Sequence, residues 1–300
     1  MNRNETYRTE QQIISSENQF TYEHFASQPE YVKVNRELIQ IIAHRLPDNF
    51  FHVDVATGTG LVPQLIIEEV YKDRKGKIIG IDPNSTSLDI ARRKNLALRN
   101  VPVEFIEGFG QDLEALVAGK IPKDGVDSVS IHDALHEIRD EEDKINVVKS
   151  MANILKLGGL FSFNSAFTTE AIKVDPRGWA GWKLKAMEIL GGERDRQTAK
   201  LAIHTPEKYE EMMTNAGLTI IHAKPKIVNL SKEALKAISV YPAFIRGVFE
   251  DMRGNETVSE NDKSYALKQA LDDKNIVELP RVWYEIVAQK NNSPADMGSV

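Results

Sequence analysis

The chain of 300 residues contains no cysteine. Disulfide bonds, thiol nucleophiles and cysteine metal ligands are therefore excluded, and such a composition is typical of proteins from a reducing compartment. The chain also has no apolar run close to the roughly 20 residues that a membrane-spanning helix needs. Its first residues have no apolar stretch of the kind found in signal peptides. We therefore expect a cytoplasmic protein without a membrane span.

An excess of basic charge is also missing, because 44 acidic side chains outnumber 38 basic ones and the formal net charge is -6. The basic residues are scattered among acidic ones, whereas nucleic-acid-binding proteins usually concentrate them on one surface. Nucleic acid is therefore disfavoured as a partner. The apolar fraction of 41% is sufficient for a substantial buried core.

Short apolar runs alternate with amphipathic segments through the first half of the chain. Parallel strands need crossover helices of about this length, so the alternation predicts a parallel sheet with helices on both faces. A helix that a serine cap opens follows the second strand. The predicted strands lie at 51–56, 77–82, 102–108, 126–133, 158–165, about 218–224 and 279–290.

Two segments interrupt this alternation. The first holds Pro176, two tryptophans and a Gly191-Gly192 break, and the second is mostly helical around a polar turn. We interpret both as insertions into one sheet. The predicted organisation is an N-terminal helical cap at 1–49, a ligand-binding core at 50–164, a helical lid at 165–204, a core continuation at 205–228, a second helical insertion at 229–278, the last strand at 279–290 and a tail at 291–300.

Glycine and acidic residues lie where the first two predicted strands end. Ligands of open parallel sheets bind at this edge. Gly58 and Gly60 leave the backbone of the first turn accessible, and the following helix N-terminus offers N–H groups to a carboxylate or phosphate. Asp82 ends the second strand, where a carboxylate can accept both hydroxyls of a ribose. These residues predict a site for a nucleoside-bearing cofactor.

The first turn also distinguishes two classes of cofactor. Dinucleotide sites prefer a third small residue after the two glycines, whereas this turn has Pro63 at that position. Asp54, just before the turn, would repel a pyrophosphate but would attract a cation. S-adenosylmethionine carries an ammonium, a sulfonium and one carboxylate, so it matches an acid on one side and N–H groups on the other better than a dinucleotide does.

Five segments in this order resemble the motif set of the class I S-adenosylmethionine-dependent methyltransferases of the small-molecule type: VDVATGTG, GIDPNS, VEFIEGFGQDL, VDSVSIHDALHEI and ILKLGGLFSFNS. The resemblance covers residues of about 50–165. It implies an α/β fold with a Rossmann-like doubly wound sheet of seven strands, the last strand antiparallel, and helical cap insertions. It also implies S-adenosylmethionine as the cofactor and methyl transfer to O, N or C of an acceptor.

The resemblance implies roles for individual residues. Asp54 is expected to hold the methionyl ammonium, and Asp82, with Pro83 beside it, to hold the ribose hydroxyls. Phe109 stands where the family commonly has an aspartate against the adenine, so apolar packing on the ring would replace a hydrogen bond. The other expected cofactor contacts are Ala56, which stands where the family often has glycine, Gly58 and Gly60 at the methionyl portion, Gly110 through its N–H, and His132 through its backbone.

His136 corresponds to a segment that faces the substrate in many members of the family. It is the candidate general base, because the unperturbed pKa of histidine lies near neutrality. Methyl transfer from a sulfonium can, however, be accelerated by alignment of the reacting atoms alone, so a base is not obligatory. No histidine and carboxylate cluster has convincing metal-ligand spacing, and no metal is expected.

The insertions predict a lid over an enclosed, largely apolar pocket. The expected acceptor is therefore a small, partly hydrophobic molecule of the natural-product, quinone or lipid-like kind. The candidate acceptor contacts are Tyr22, Phe25, Trp179 and Trp182, although packing of the insertion is an alternative role for both tryptophans. The insertions could also supply the interface of a homodimer.

Two other functions compete with this interpretation. A nicotinamide-dependent oxidoreductase can be built on a similar sheet, but Asp54, Pro63 and the lack of a convincing Tyr-x-x-x-Lys pair count against it. A catalytically inactive methyltransferase-like binding protein would share the fold, and fold alone does not exclude it.

Overall fold

The computed structural model describes residues 21–70, 74–94, 101–138, 140–195 and 203–291. Seven strands of these residues form one sheet. The strands are β1 (Phe50–Val55), β2 (Gly76–Asp82), β3 (Val103–Glu107), β4 (Val126–His132), β5 (Leu155–Ser165), β6 (Leu218–Ser231) and β7 (Glu278–Lys290).

The strand order across the sheet is β3-β2-β1-β4-β5-β7-β6. β1 pairs in parallel with both β2 and β4, so the strand order reverses on either side of β1. β7 pairs antiparallel with β5. The predicted doubly wound sheet of seven strands with an antiparallel last strand is confirmed, and its carboxyl edge at β1 and β4 is the place where such sheets bind ligands.

Helices connect the strands and extend the chain beyond them. They are α1 (Glu23–Ala26), α2 (Pro29–Ala43), α3 (Leu61–Glu69), α4 (Ser85–Arg93), α5 (Leu113–Val117), α6 (Glu141–Ile154), α7 (Thr169–Lys173), α8 (Pro176–Ile189), α9 (Pro206–Asn215), α10 (Lys232–Ile238), α11 (Pro242–Phe249) and α12 (Glu260–Asp273). None of the helices in the described ranges combines the length and the apolarity that crossing a bilayer requires.

The two faces of the central strands differ in polarity. Val53 and Val55 of β1 belong to a buried cluster with residues of α6 and β5. Phe50, on the other face of β1, belongs to a second cluster with residues of α2 and α3. His52 and Asp54 share this second face, because side chains alternate along a strand, and both are fully buried. Polar residues therefore replace part of the core beneath α2.

Two local predictions need correction. The N-cap of α4 is Asn84, whose side-chain oxygen accepts from the Ser87 N–H at 3.0 Å, so the predicted serine cap is wrong. The sixth strand extends to Ser231 and does not end near residue 224. It lies at the edge of the sheet, a position where strands tolerate proline, and Pro225 does not terminate it.

The chain folds into two compact units. The helical unit contains, among the described residues, 21–30, 175–195 and 229–279, and the sheet unit contains the remainder. The helical unit has its own core, in which Trp182 and Phe249 are buried. The Trp182 indole N–H donates to the Leu267 carbonyl at 2.8 Å. The buried Asp251 carboxylate pairs with Lys183 at 2.8 Å and Arg194 at 2.7 Å.

The turn after β1 has an unusual backbone. Ala56, Gly58 and Gly60 have φ angles of 56°, 53° and 83°. Glycine tolerates this left-handed region, whereas a Cβ in it costs roughly 1–2 kcal/mol. Ala56 therefore carries strain that a glycine at this position would not.

We expect Ala56→Gly to raise the free energy of unfolding by about 0.5–1 kcal/mol, because relief of the strain exceeds the added backbone entropy of the unfolded chain. Urea unfolding monitored by circular dichroism measures the change. Ala115→Gly is the control, since Ala115 is exposed within α5 and glycine should there cost up to about 1 kcal/mol. Equal destabilisation by both substitutions would contradict the strain at Ala56.

Candidate functional site

Asp54 lies at the carboxyl end of β1, and its side chain is buried. Its Oδ1 accepts a hydrogen bond from the Ser130 hydroxyl of β4 at 2.5 Å. Its Oδ2 is buried without a hydrogen-bond partner. Among the described residues no Lys, Arg or His forms a salt bridge with it. A buried carboxylate oxygen of this kind is normally satisfied by a ligand, a cation or water.

Burial raises the pKa of Asp54 from 3.8 to about 7. The Ser130 hydrogen bond and the nearby Thr57 hydroxyl oppose the rise, and the charge of Asp82 adds to it. The Thr57 hydroxyl nevertheless makes no hydrogen bond of ordinary geometry. Desolvation thus outweighs the hydrogen bonding, so a bound cation would stabilise the ionised carboxylate strongly.

Asp82 lies at the end of β2 and connects two turns. Its Oδ2 accepts from the Gly58 N–H and its Oδ1 from the Asn84 N–H, both at 2.8 Å. Burial raises the pKa of this carboxyl, and the two backbone hydrogen bonds oppose the rise. Each oxygen keeps a second lone pair, so Asp82, followed by Pro83, can still accept the hydroxyls of a diol.

The glycine turn leaves room beside its backbone. A Cβ placed on Gly58 would meet no atom within 4 Å, and the turn is held by bonds from the Thr57 N–H to the Ile81 carbonyl and from the Gly60 N–H to the Thr57 carbonyl, both 2.9 Å. After β3, Phe109 is 58% exposed, which is unusual for so large an apolar ring. A Cβ on Gly110 would lie 3.0 Å from the Val55 side chain, so that side chain would have to shift by a few tenths of an ångström to accept one.

His132 lies at the end of β4 and is buried. Its Nδ1 contacts Asn35 Oδ1 at 2.9 Å and its Nε2 contacts Ser162 Oγ at 2.8 Å. Burial lowers its pKa to about 3, so the ring is neutral. Asn35 Oδ1 also accepts from the Asn164 amide at 3.0 Å. The side chain of His132 is therefore committed to a network within the sheet unit, which leaves its backbone for the predicted contact.

His136 lies in a 3-10 turn, Leu135–Glu137. Its ring stacks on Phe167 at 3.9 Å between centroids, and the Arg281 guanidinium lies 4.9 Å from the same Phe167 ring. Burial, with smaller contributions from Arg281 and Lys144, lowers the pKa of His136 to about 3. Its Nδ1 is buried without a partner. His136 is thus a neutral hydrogen-bonding group and a weaker base than an ordinary histidine.

The predicted acceptor contacts form two pairs in the helical unit. The rings of Tyr22 and Phe25 lie 5.6 Å apart, and Tyr241 packs on Tyr22 at 4.8 Å. The rings of Trp179 and Trp182 lie 5.7 Å apart. Phe25 and Trp182 are buried, whereas Tyr22 and Trp179 are half-buried. Trp182 serves in the core of this unit, and a contact of these residues with an acceptor stays a prediction.

Sequence reasoning missed the buried polar side chains that are hydrogen-bonded, directly or in series, to Asp54 and His132. Ser130, His52 and Asn35 were not recognised as part of the site. A signal was present in β4, where Ser128, Ser130 and His132 occupy every second position of a strand that otherwise reads as buried. The partners of such side chains lie on neighbouring strands and helices, so their roles depended on the pairing of the strands.

The described residues also form a groove of about 420 Å³ at the edge of the sheet where β4 and β5 begin, between Gly125, Leu155 and Lys290. Lys290 donates to the carbonyls of Asn153 and Leu155, and this groove contains none of the predicted site residues. In the parts of the chain that the structure describes, no group of three or more histidines and carboxylates could hold a metal ion.

Residues 53–159 match the family described as "Methyltransferase domain". A protein of Bacillus halodurans C-125 provisionally assigned as a methyltransferase has a similar structure, with a TM-score of 0.53 and 16% identity over 86% of this chain and 99% of that one. The YcgJ protein of Bacillus subtilis is similar with a TM-score of 0.53 and 15% identity over 87% and 100%. At these identities the similarity shows the fold. No curated protein sequence matches the chain.

We expect Asp54→Asn to stabilise the protein without ligand at high pH. The folded-state pKa of about 7 exceeds the ordinary 3.8, so this carboxyl favours folding most below about pH 4 and loses that advantage as the pH rises through 7. The substitution should therefore add about 2–4 kcal/mol at pH 8.5 and little at pH 4.5. Urea unfolding at both pH values measures the difference.

Asp89→Asn is the control, because the Asp89 side chain is 62% exposed on α4 and pairs with Arg92 three residues on. Its effect should stay within about 0.5 kcal/mol at both pH values. A stabilisation by Asp54→Asn that does not change with pH would rule out a buried ionisation at Asp54.

Proposed function

Because residues 53–159 belong to the methyltransferase-domain family, we propose that this chain is a class I S-adenosylmethionine-dependent methyltransferase that acts on a small, partly hydrophobic molecule. The observation that carries the cofactor assignment is the buried carboxylate oxygen of Asp54, which has no partner and lies just before a glycine turn with open space beside it. A ligand with a cationic group and a short flexible arm fits both features.

Each part of S-adenosylmethionine is assigned to its own residues in the sheet unit. Asp54 binds the methionyl ammonium, and Ala56, Gly58 and Gly60 line the methionyl arm. Asp82 accepts the ribose hydroxyls beside Pro83. The adenine lies against Phe109 and the N–H of Gly110, and the backbone of His132 completes the methionyl contacts. When bound, the cofactor supplies an electrophilic methyl group on its sulfonium.

His136 holds the acceptor nucleophile through its unpartnered Nδ1. A nucleophile becomes acidic as it gains the methyl group, so even a weak base can take its proton late in the reaction. The main contribution of the protein is then the alignment of nucleophile, methyl and sulfur, which converts a bimolecular step into an effectively unimolecular one.

The residues that the sequence predicts as acceptor contacts are aromatic. The packed aromatic rings of Tyr22, Phe25 and Tyr241, with Trp179 half-buried in α8, supply apolar surface suited to a partly hydrophobic molecule such as a natural product, a quinone or a lipid-like compound. The acceptor atom, O, N or C, attacks the methyl group with its own electron pair, and His136 accepts the proton that this atom loses. A cytoplasmic location and a homodimer remain predictions from the sequence.

We expect S-adenosylhomocysteine and S-adenosylmethionine to bind the purified protein and NADH not to bind. Asp82→Ala should weaken the binding of S-adenosylhomocysteine by about 1–3 kcal/mol, because a buried charge-assisted hydrogen-bond acceptor is lost. Isothermal titration calorimetry measures both, and Asp89→Ala, on the exposed side of α4, should leave the affinity unchanged.

Tight binding of NADH without binding of S-adenosylmethionine would replace this proposal by a nicotinamide-dependent oxidoreductase. Binding of the cofactor without release of S-adenosylhomocysteine from any acceptor in a broad small-molecule library would instead favour a catalytically inactive binding protein.

We expect His136→Ala to lower kcat about 10²-fold with the best acceptor of that library and to change the affinity for S-adenosylhomocysteine less than about twofold. His136→Asn should recover part of the rate, because the asparagine oxygen can accept a hydrogen bond near the position of Nδ1. Steady-state kinetics with calorimetry separate the two effects. An unchanged rate in His136→Ala would mean that alignment of the reacting atoms accounts for catalysis without a base.

A further inference from the structure

A further buried histidine, His52, lies beside the candidate site and has no role in the reaction proposed above. His52 lies on β1 two residues before Asp54 and is fully buried. Its partners across the sheet are set by the strand register, in which His52 faces Ser128 and Asp54 faces Ser130. The ring bridges both serines, with Nδ1 at 2.7 Å from Ser128 Oγ and Nε2 at 2.9 Å from Ser130 Oγ.

The hydrogen bonds of this group have one consistent direction. The Ser130 hydroxyl donates its only proton to Asp54 Oδ1, so its oxygen must accept from His52. Burial lowers the pKa of His52 to about 3, and a neutral imidazole carries one N–H. That N–H is therefore on Nε2, and Nδ1 accepts from the Ser128 hydroxyl.

We propose that His52 is a positioning residue of the cofactor site: its Nε2–H polarises the Ser130 hydroxyl, which favours the ionised form of the Asp54 carboxylate and turns Oδ2 toward the ammonium of the cofactor. The inference rests on the proposed function for the identity of the cation. Chains of hydrogen bonds strengthen one another in a low-dielectric interior, so a donor behind Ser130 makes that hydroxyl a better donor to Asp54.

The titratable side chains near these hydrogen bonds do not stabilise the ionised form of Asp54. Those that act on Asp54 or His52 are Asp82 at the end of β2 and His132 on β4. Asp82 disfavours the ionised form of Asp54. His132 is neutral and is hydrogen-bonded to Asn35 and Ser162, outside the series of bonds from Ser128 to Asp54. The hydrogen bond from Ser130 to Oδ1, supported by His52, therefore stabilises the ionised form of Asp54 against the effect of burial.

The first test needs no cofactor. Titration of 13C-aspartate-labelled protein by NMR reports the pKa of each Asp carboxyl, and the Asp54 signal is identified by its loss in Asp54→Asn. We expect His52→Met to raise the pKa of Asp54 by about one unit relative to the wild type, because Ser130 then lacks its donor.

His52→Gln is the matched control. Glutamine and methionine have nearly the same size and shape, but the glutamine amide places an N–H near the position of Nε2. We expect the pKa of Asp54 in His52→Gln to stay within about 0.3 units of the wild type. Thermal unfolding of both variants shows whether packing suffers equally, so that a difference in the titration reports the hydrogen bond and not the fold.

The second test uses S-adenosylhomocysteine as the probe. With the pKa of Asp54 one unit higher, the ionised fraction at pH 7 falls about fivefold, and the affinity should fall by the same factor in His52→Met. At pH 8.5 the difference from the wild type should shrink below about twofold. His52→Gln should follow the wild-type pH profile, and comparison at equal pH cancels the titration of the ligand itself.

The outcomes separate the two proposals. Absence of S-adenosylhomocysteine binding by the wild type would end the proposed function, while the NMR titration would still decide the role of His52. Normal binding with an identical Asp54 titration in wild type and His52→Met would overturn the positioning role. A pH-independent loss of affinity that is equal in His52→Met and His52→Gln would also overturn it, since packing would then be the cause.

Discussion

The burial of one carboxylate is the constraint on which the site depends. Ionisation of Asp54 costs folding free energy, because the desolvation penalty exceeds the stabilisation by the Ser130 hydrogen bond. The protein tolerates this cost because the rest of β1 is packed on both faces. A buried carboxylate without a counter-charge is unfavourable, and a bound cation makes it favourable. Perturbed groups of this kind are typical of functional sites.

The two faces of the sheet contribute differently to the site: one is apolar and the other is polar. On the α6 side, β1, β4 and β5 present valine, isoleucine and phenylalanine, which pack as a continuous core. On the α2 side the same strands present histidine, serine, asparagine and aspartate, and their side chains bond to one another across the strands. The apolar face keeps the strands in register, and that register brings the polar groups to hydrogen-bonding distance.

The position of the candidate site in the fold could be predicted because its residues are close together in the sequence. Asp54 and the glycines adjoin one turn, and Asp82 follows one strand later, so the alternation of strands and helices was sufficient to bring them to the same edge. The N-cap of α4 and the length of β6 were predicted wrongly, because Asn84 and Ser85 are both good caps and because a proline ends a strand only where its missing N–H is needed.

The sequence by itself determined the order of strands and helices, the glycine turn and the acidic residues at the strand ends, since each of these depends on residues close together along the chain. The tertiary structure alone decided which serine supports Asp54, that His52 and His132 are neutral, and that Trp182 belongs to the core of a separate helical unit. The physical reason is that burial and hydrogen-bond partners are set by strand pairing and packing between residues far apart in sequence, and these set the charge and direction of a polar side chain.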